Sequence, residues 1–227
     1  MDRLLFHILA AFALTSSALT PAAAATAKAD GDCIQRSFTA TTVTLDGGTL
    51  NIRAAAGKEN KITISESGGY VRVTDDGDQV VDGLTHQPAT RWPSVGTLRI
   101  AVCAGDGDDE VWNNSNLVSF GTHGESGDDF LVGNSRTERL IGGAGDDTIY
   151  AKGGGDAVYG SSGNDYLYGQ NGDDRLYGEQ GNDTIDGGPG DDYANGGTGY
   201  RNKCYNVEAD VNCTPKRNGY PTPVFTR

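Results

Sequence analysis

Seven aspartates, Asp129, Asp147, Asp156, Asp165, Asp174, Asp183 and Asp192, lie at multiples of nine residues from one another. Each follows a glycine by two positions. A carboxylate is a hard oxygen donor, and calcium takes six to eight such oxygens from carboxylates and backbone carbonyls. Histidine and cysteine are absent from the recurring positions, which disfavours zinc and copper. The chemistry expected of these residues is oxygen ligation of a hard divalent cation. An eighth aspartate, Asp109, stands in a detached copy of the same phrase, AGDGDDEVW, at residues 104–112.

The element that positions the aspartates is a repeat. From Gly124 to Cys204 the chain divides into nine consecutive nonapeptides, of which GGAGDDTIY and GQNGDDRLY are examples. Glycine holds position 1 in eight of the nine and position 4 in eight of the nine. Position 8 is apolar in eight: Leu131, Leu140, Ile149, Val158, Leu167, Leu176, Ile185 and Ala194. A tight turn that aims several carbonyls inward needs backbone angles that a Cβ forbids, so glycine is expected at positions 1 and 4. One apolar side chain per short strand is enough if coils stack about 4.8 Å apart and join these residues into a ladder.

The array from residue 104 to 204 resembles the RTX calcium-binding family, whose consensus is G-G-x-G-x-D-x-U-x. The resemblance implies a parallel β-roll in which each nonapeptide is a turn followed by a short strand and two nonapeptides make one coil. It also implies calcium ions lying in rows between stacked turns. The order of segments is similar to that of secreted actinobacterial RTX-type calcium-binding proteins. With two repeats per coil, residues 18 apart stack. Asp129, Asp147, Asp165 and Asp183 then form one row, and Asp156, Asp174 and Asp192 the other. An ion between each neighbouring pair gives about five Ca2+, three in the first row and two in the second. Asp109 is counted as a further ligand. Glu138 opens the second row, but Arg136 stands where its turn wants glycine. Arg201 falls on the aspartate position of the last repeat and is expected to close the first row by pairing with Asp183. Without metal, carboxylates stacked at about 5 Å repel by roughly 1 to 3 kcal/mol per neighbour. Residues 124–204 are therefore expected to be largely unstructured in chelator and to fold on binding calcium, with affinity on the order of 10⁻⁴ to 10⁻³ M.

Charge agrees with this address. The chain of 227 residues carries a net charge of −13, and residues 104–204 alone hold 19 acidic against 6 basic side chains and 24 of the 34 glycines. The acidic balance argues against nucleic-acid partners. Residues 1–27 read as a secretory signal peptide: Arg3, an apolar run from Leu4 to Leu19, then small residues to Ala27. The run is short and interrupted by Ser and Thr, so no membrane insertion is expected, and the mature chain should be extracellular. Four cysteines suit an oxidising compartment as two disulfides. Three pairings are possible; Cys33 with Cys103 and Cys204 with Cys213 bracket successive segments and are preferred. Zinc is disfavoured because no Cys-x-x-Cys occurs and His7, His86 and His123 are scattered.

Residues 34–102 alternate in the manner of strands, punctuated by Asp46-Gly47-Gly48, Ser67-Gly68-Gly69 and Asp75-Asp76-Gly77-Asp78, which are hairpin or coil-corner signals. The organisation expected is all-β: signal peptide 1–27, a small β-rich capping domain 28–103, the β-roll 104–204, and a C-terminal cap and tail 205–227. Neither His-Glu-x-x-His nor Gly-x-Ser-x-Gly occurs, and the expectation is a protein that is not an enzyme. Tyr150, Tyr159, Tyr168 and Tyr177 hold position 9 and should stack outward as 150 with 168 and 159 with 177. Such a face could bind a cell-surface glycan or protein, although protection of the roll is the plainer role. The remaining alternative is a non-catalytic remnant of an RTX hydrolase or toxin.

Overall fold

The computed structural model describes residues 33, 40–76, 78–82, 88–89, 91–94 and 98–214. The expected signal peptide and the tail beyond Thr214 lie outside the described residues. Among those described the protein is all-β, with no helix.

Glycine pairs set the first turns. Gly47 and Gly48 have φ of 54° and 81°, and they join β1 (Thr41–Asp46) to β2 (Thr49–Arg53) in an antiparallel hairpin. Gly68 and Gly69 join β3 (Lys61–Ser67) to β4 (Tyr70–Asp75) in the same way. Both hairpins fall where the sequence signals placed them. Two short strands, β5 (Val80–Asp82) and β6 (Arg91–Pro93), add to β1 and β4.

From β7 (Arg99–Asp106) onward the chain coils. Strands β7, β9 (Val118–Ser126), β11 (Arg139–Ala144), β13 (Ala157–Ser162), β15 (Arg175–Gln180), β17 (Tyr193–Asn195) and β19 (Ala209–Val211) line one sheet. Strands β8 (Glu110–Asn114), β10 (Phe130–Val132), β12 (Thr148–Tyr150), β14 (Tyr166–Tyr168), β16 (Thr184–Asp186) and β18 (Lys203–Tyr205) line the other. Successive members pair in parallel at 18-residue register through the repeats, as in Leu140 with Val158 and Leu176 with Ala194. This is a parallel β-solenoid, the β-roll that two nonapeptides per coil require.

The segment before the repeats joins the same solenoid. β2 pairs in parallel with β7, and β3 in parallel with β8, so β2 and β3 form a starting coil. Strands β1 and β4, laid antiparallel on that coil, keep its sheet edges from lying open, which is the usual liability of a strand edge. One apolar core runs from Val43 through Ile62, Ile100 and Val111 to the position 8 residues and Cys204. Leu131, Ile149, Val158, Leu167, Leu176, Ile185 and Ala194 are wholly buried. Leu45, at the tip of the first hairpin, is 38% exposed. Disulfides join Cys33 to Cys103 and Cys204 to Cys213, the preferred pairing.

Candidate metal centre

Except in the last, each repeat enters its strand through a turn whose sixth residue points inward. The structure stacks these residues into two ladders. In the first, Asn60 N–H donates to Asp109 Oδ1 at 2.6 Å, Asp109 N–H to Asp129 Oδ1 at 2.9 Å and Asp129 N–H to Asp147 Oδ1 at 2.9 Å. The ladder continues from Asp147 to Asp165, from Asp165 to Asp183 and from Asp183 to Asn202 Oδ1. In the second, Glu138 N–H donates to Asp156, Asp156 to Asp174, Asp174 to Asp192 and Asp192 to Glu208. All eight aspartates singled out in the sequence are thus brought together, in the two rows expected, and Asp109 extends the first.

These carboxylates are buried and half satisfied. Every one of the eight is at most 2% exposed. Each spends Oδ1 on the ladder, while Oδ2 is enclosed and without a hydrogen-bond partner among the described residues. A buried acceptor left unpaired is costly, and a buried unpaired charge more so. Burial accordingly favours the uncharged carboxyl form relative to an exposed aspartate. Burial raises Asp109, Asp129, Asp147, Asp165 and Asp192 to about 7 and Asp156 to about 8, and moves Asp174 and Asp183 upward too. The backbone N–H on Oδ1 pulls the other way, and nearby carboxylates add to the rise.

Glycine serves two purposes here. At position 4 the backbone is left-handed, with φ of 131° at Gly145 and 141° at Gly163, and a Cβ at Gly163 would strike the carbonyl of Gly145 one coil below. At position 1 the dihedral is not the reason, contrary to the sequence argument. A Cβ on Gly124 would instead collide with Asp129 Oδ2 and lie 2.6 Å from the carbonyl oxygen of Gly142. The left-handed partner of position 4 is position 2, where Glu125, Lys152, Ser161, Gln170 and Glu179 carry positive φ.

Two assignments change. Arg201 does not close the first row: it is exposed, and Asn202 takes the ladder position. One extra residue enters the last turn around Tyr200, which is 93% exposed, so Cys204 rather than residue 203 pairs with Ile185. Glu138 does occupy its row, and its two oxygens accept from Asn113 Nδ2 and Asn134 N–H. The tyrosines stack as expected, 150 on 168 at 4.5 Å and 159 on 177 at 5.0 Å, but Tyr150 is buried rather than outward.

The nine-residue pattern does not disclose Asn60. Its turn, AAGKENKIT, keeps neither glycine of the pattern at positions 1 and 4. The surviving signal is the polar-x-apolar triplet Asn60-Lys61-Ile62, matching Asp109-Glu110-Val111.

Two ladders of enclosed carboxylates along stacked glycine turns define an acidic β-roll built to take up hard cations. A family model described as the RTX calcium-binding nonapeptide repeat, in four copies, matches residues 132–167 and 168–200. That stretch of the chain is an array of RTX calcium-binding repeats. No curated protein matches the chain.

Proposed function

We propose that this is a secreted, non-enzymatic calcium-binding protein whose β-roll folds when its aspartate rows are filled. The observation that carries the reading is the set of eight buried Oδ2 atoms without a partner, each beside a glycine turn. A hard cation is the group that such oxygens and the neighbouring carbonyls suit. Asp109, Asp129, Asp147, Asp165 and Asp183 would hold ions in one row, and Asp156, Asp174 and Asp192 in the other. The metal supplies positive charge where the chain has gathered negative charge.

The number of ions follows from the gaps between neighbouring aspartates. Asp109 adds a fourth gap to the first row, beside two in the second, so about six ions replace the five counted from the sequence. The carboxylates face the interior and spend one oxygen on the backbone, a placement suited to an ion rather than to a substrate. Residues 1–27 as a signal peptide, and an extracellular destination, are consistent with two disulfides. The division into a β-rich capping unit at 28–103 and the β-roll at 104–204 is proposed as two parts of one solenoid, since β7 and the apolar core cross the boundary. A glycan- or protein-binding tyrosine face is the weaker reading, because Tyr150 is buried and the stacked rings cover the roll.

The test is a titration of the purified disulfide-bonded chain with calcium after removal of metal. Strand content by circular dichroism should rise with calcium, and metal-counting mass spectrometry should find about six ions. Fewer than three ions, or unchanged strand content, would overturn the reading.

A further inference from the structure

The first ladder does not end in carboxylates. At its start, Asn60 is 3% exposed and its side-chain amide donates to three backbone carbonyls: Ala55 at 3.1 Å, Lys58 at 3.0 Å and Ala104 at 3.4 Å. The same nitrogen lies 3.0 Å from Asp109 Oδ1. Ala55 and Lys58 occupy positions 1 and 4 of the Asn60 turn, and Ala104 is position 1 of the next coil. Backbone carbonyls of two adjacent turns therefore converge on one point, and the Nδ2 group fills it with two N–H donors, while Asn60 Oδ1 is itself enclosed without a hydrogen-bond partner among the described residues. In the aspartate turns the corresponding atom is Oδ2, a further acceptor with no donor facing it.

The far end of the row also closes on a buried asparagine. Asn202 is wholly buried, its Oδ1 accepts the Asp183 N–H at 2.9 Å, and its Nδ2 donates to the carbonyl of Gly196, position 1 of its own turn, at 2.6 Å. A neutral amide brings partial positive charge to the carbonyls and removes the negative charge of a carboxylate, both of which a cation does elsewhere in the row.

We infer that Asn60 and Asn202 take the place of an ion at the two ends of the first row, so that the coil of β2 and β3 folds without calcium and templates the coils that need it. The inference rests on the proposal that the aspartate rows hold calcium. The starting coil has the other requirements for standing without metal. Leu50, Ile52, Ile62 and Ile64 are buried in it, and both of its strands carry hairpin partners. Parallel pairing then offers β7 and β8 a formed edge on which to add.

Hydrogen exchange on the whole disulfide-bonded chain tests this without any variant. In chelator, amides of 49–53 and 61–67 should stay protected while those of 139–195 exchange freely, and calcium should restore only the latter. Equal loss of protection in both segments would overturn the inference. Asn60→Asp supplies the second arm: it should bind one more calcium ion than the parent and lose the chelator protection of 49–67. An unchanged ion count with unchanged protection would equally overturn it. Failure of the underlying calcium proposal looks different, since the parent chain would then bind no calcium and neither segment would respond to it.

Discussion

Each aspartate of the two rows divides its work between its oxygens. Oδ1 holds the neighbouring coil through a backbone N–H, and the unpartnered Oδ2 is the oxygen proposed for a cation, so replacing an inner member of a row should disturb both the ladder and two proposed ion gaps. Asp165→Ala should lower the bound calcium by about two ions and weaken overall affinity on the order of tenfold or more, read by mass spectrometry and calorimetry. Asp165→Asn should lose the same ions yet retain more strand content in chelator than the parent, because its amide can do what Asn60 does. The protonation of the rows has a sign that can be measured. An aspartate titrates near 3.9 in an unfolded chain, and most of these sit near 7 in the metal-free roll. The folded metal-free form is thus favoured fully below about pH 4, and this support is lost as pH rises through about 7. In metal-free buffer, strand content should increase between pH 8 and pH 4, whereas apparent calcium affinity should decrease as protons compete for the same oxygens. Circular dichroism and calorimetry across that range check both directions.

At the level of the element, the strands of the roll are short and lean on the buried position 8 side chain. Leu167, wholly buried between Ile149 and Ile185, should cost about 2 to 5 kcal/mol on replacement by alanine, measured by denaturant unfolding in calcium. Gly163→Ala should be at least as damaging, since it meets both a φ of 141° and the Gly145 carbonyl. What the sequence disclosed about these elements follows from how strictly a turn constrains its residues. The glycine and aspartate positions were visible because a Cβ at position 4, or a missing carboxylate at position 6, has no substitute within a repeated coil. The start and end of the ladder were hidden for the converse reason. At Asn60 the chain meets only one neighbouring coil, so alanine and lysine replace the glycines. At Asn202 an added residue shifts the count by one, so fixed nine-residue spacing picked out Arg201. The triplet of polar residue, any residue, apolar residue survives at both, because the ladder and the core still act there together.

For the molecule as a whole, the net charge of −13 is a statement about the roll, since the segments outside residues 104–204 are balanced. Removing calcium should expand the chain, seen as an increase in hydrodynamic radius that adding calcium reverses. The hairpin-closed starting coil and the Cys204–Cys213 disulfide stand at opposite ends of the roll, and between them the coils are interchangeable in register. Length is therefore not fixed by the core, as it is in a globular domain whose interior closes on itself. Duplicating residues 142–159 should insert one further coil, lengthen the rod by about 4.8 Å and add one ion gap to each row. A protein built this way can be extended like a ruler, one graduation at a time, without redesigning either end.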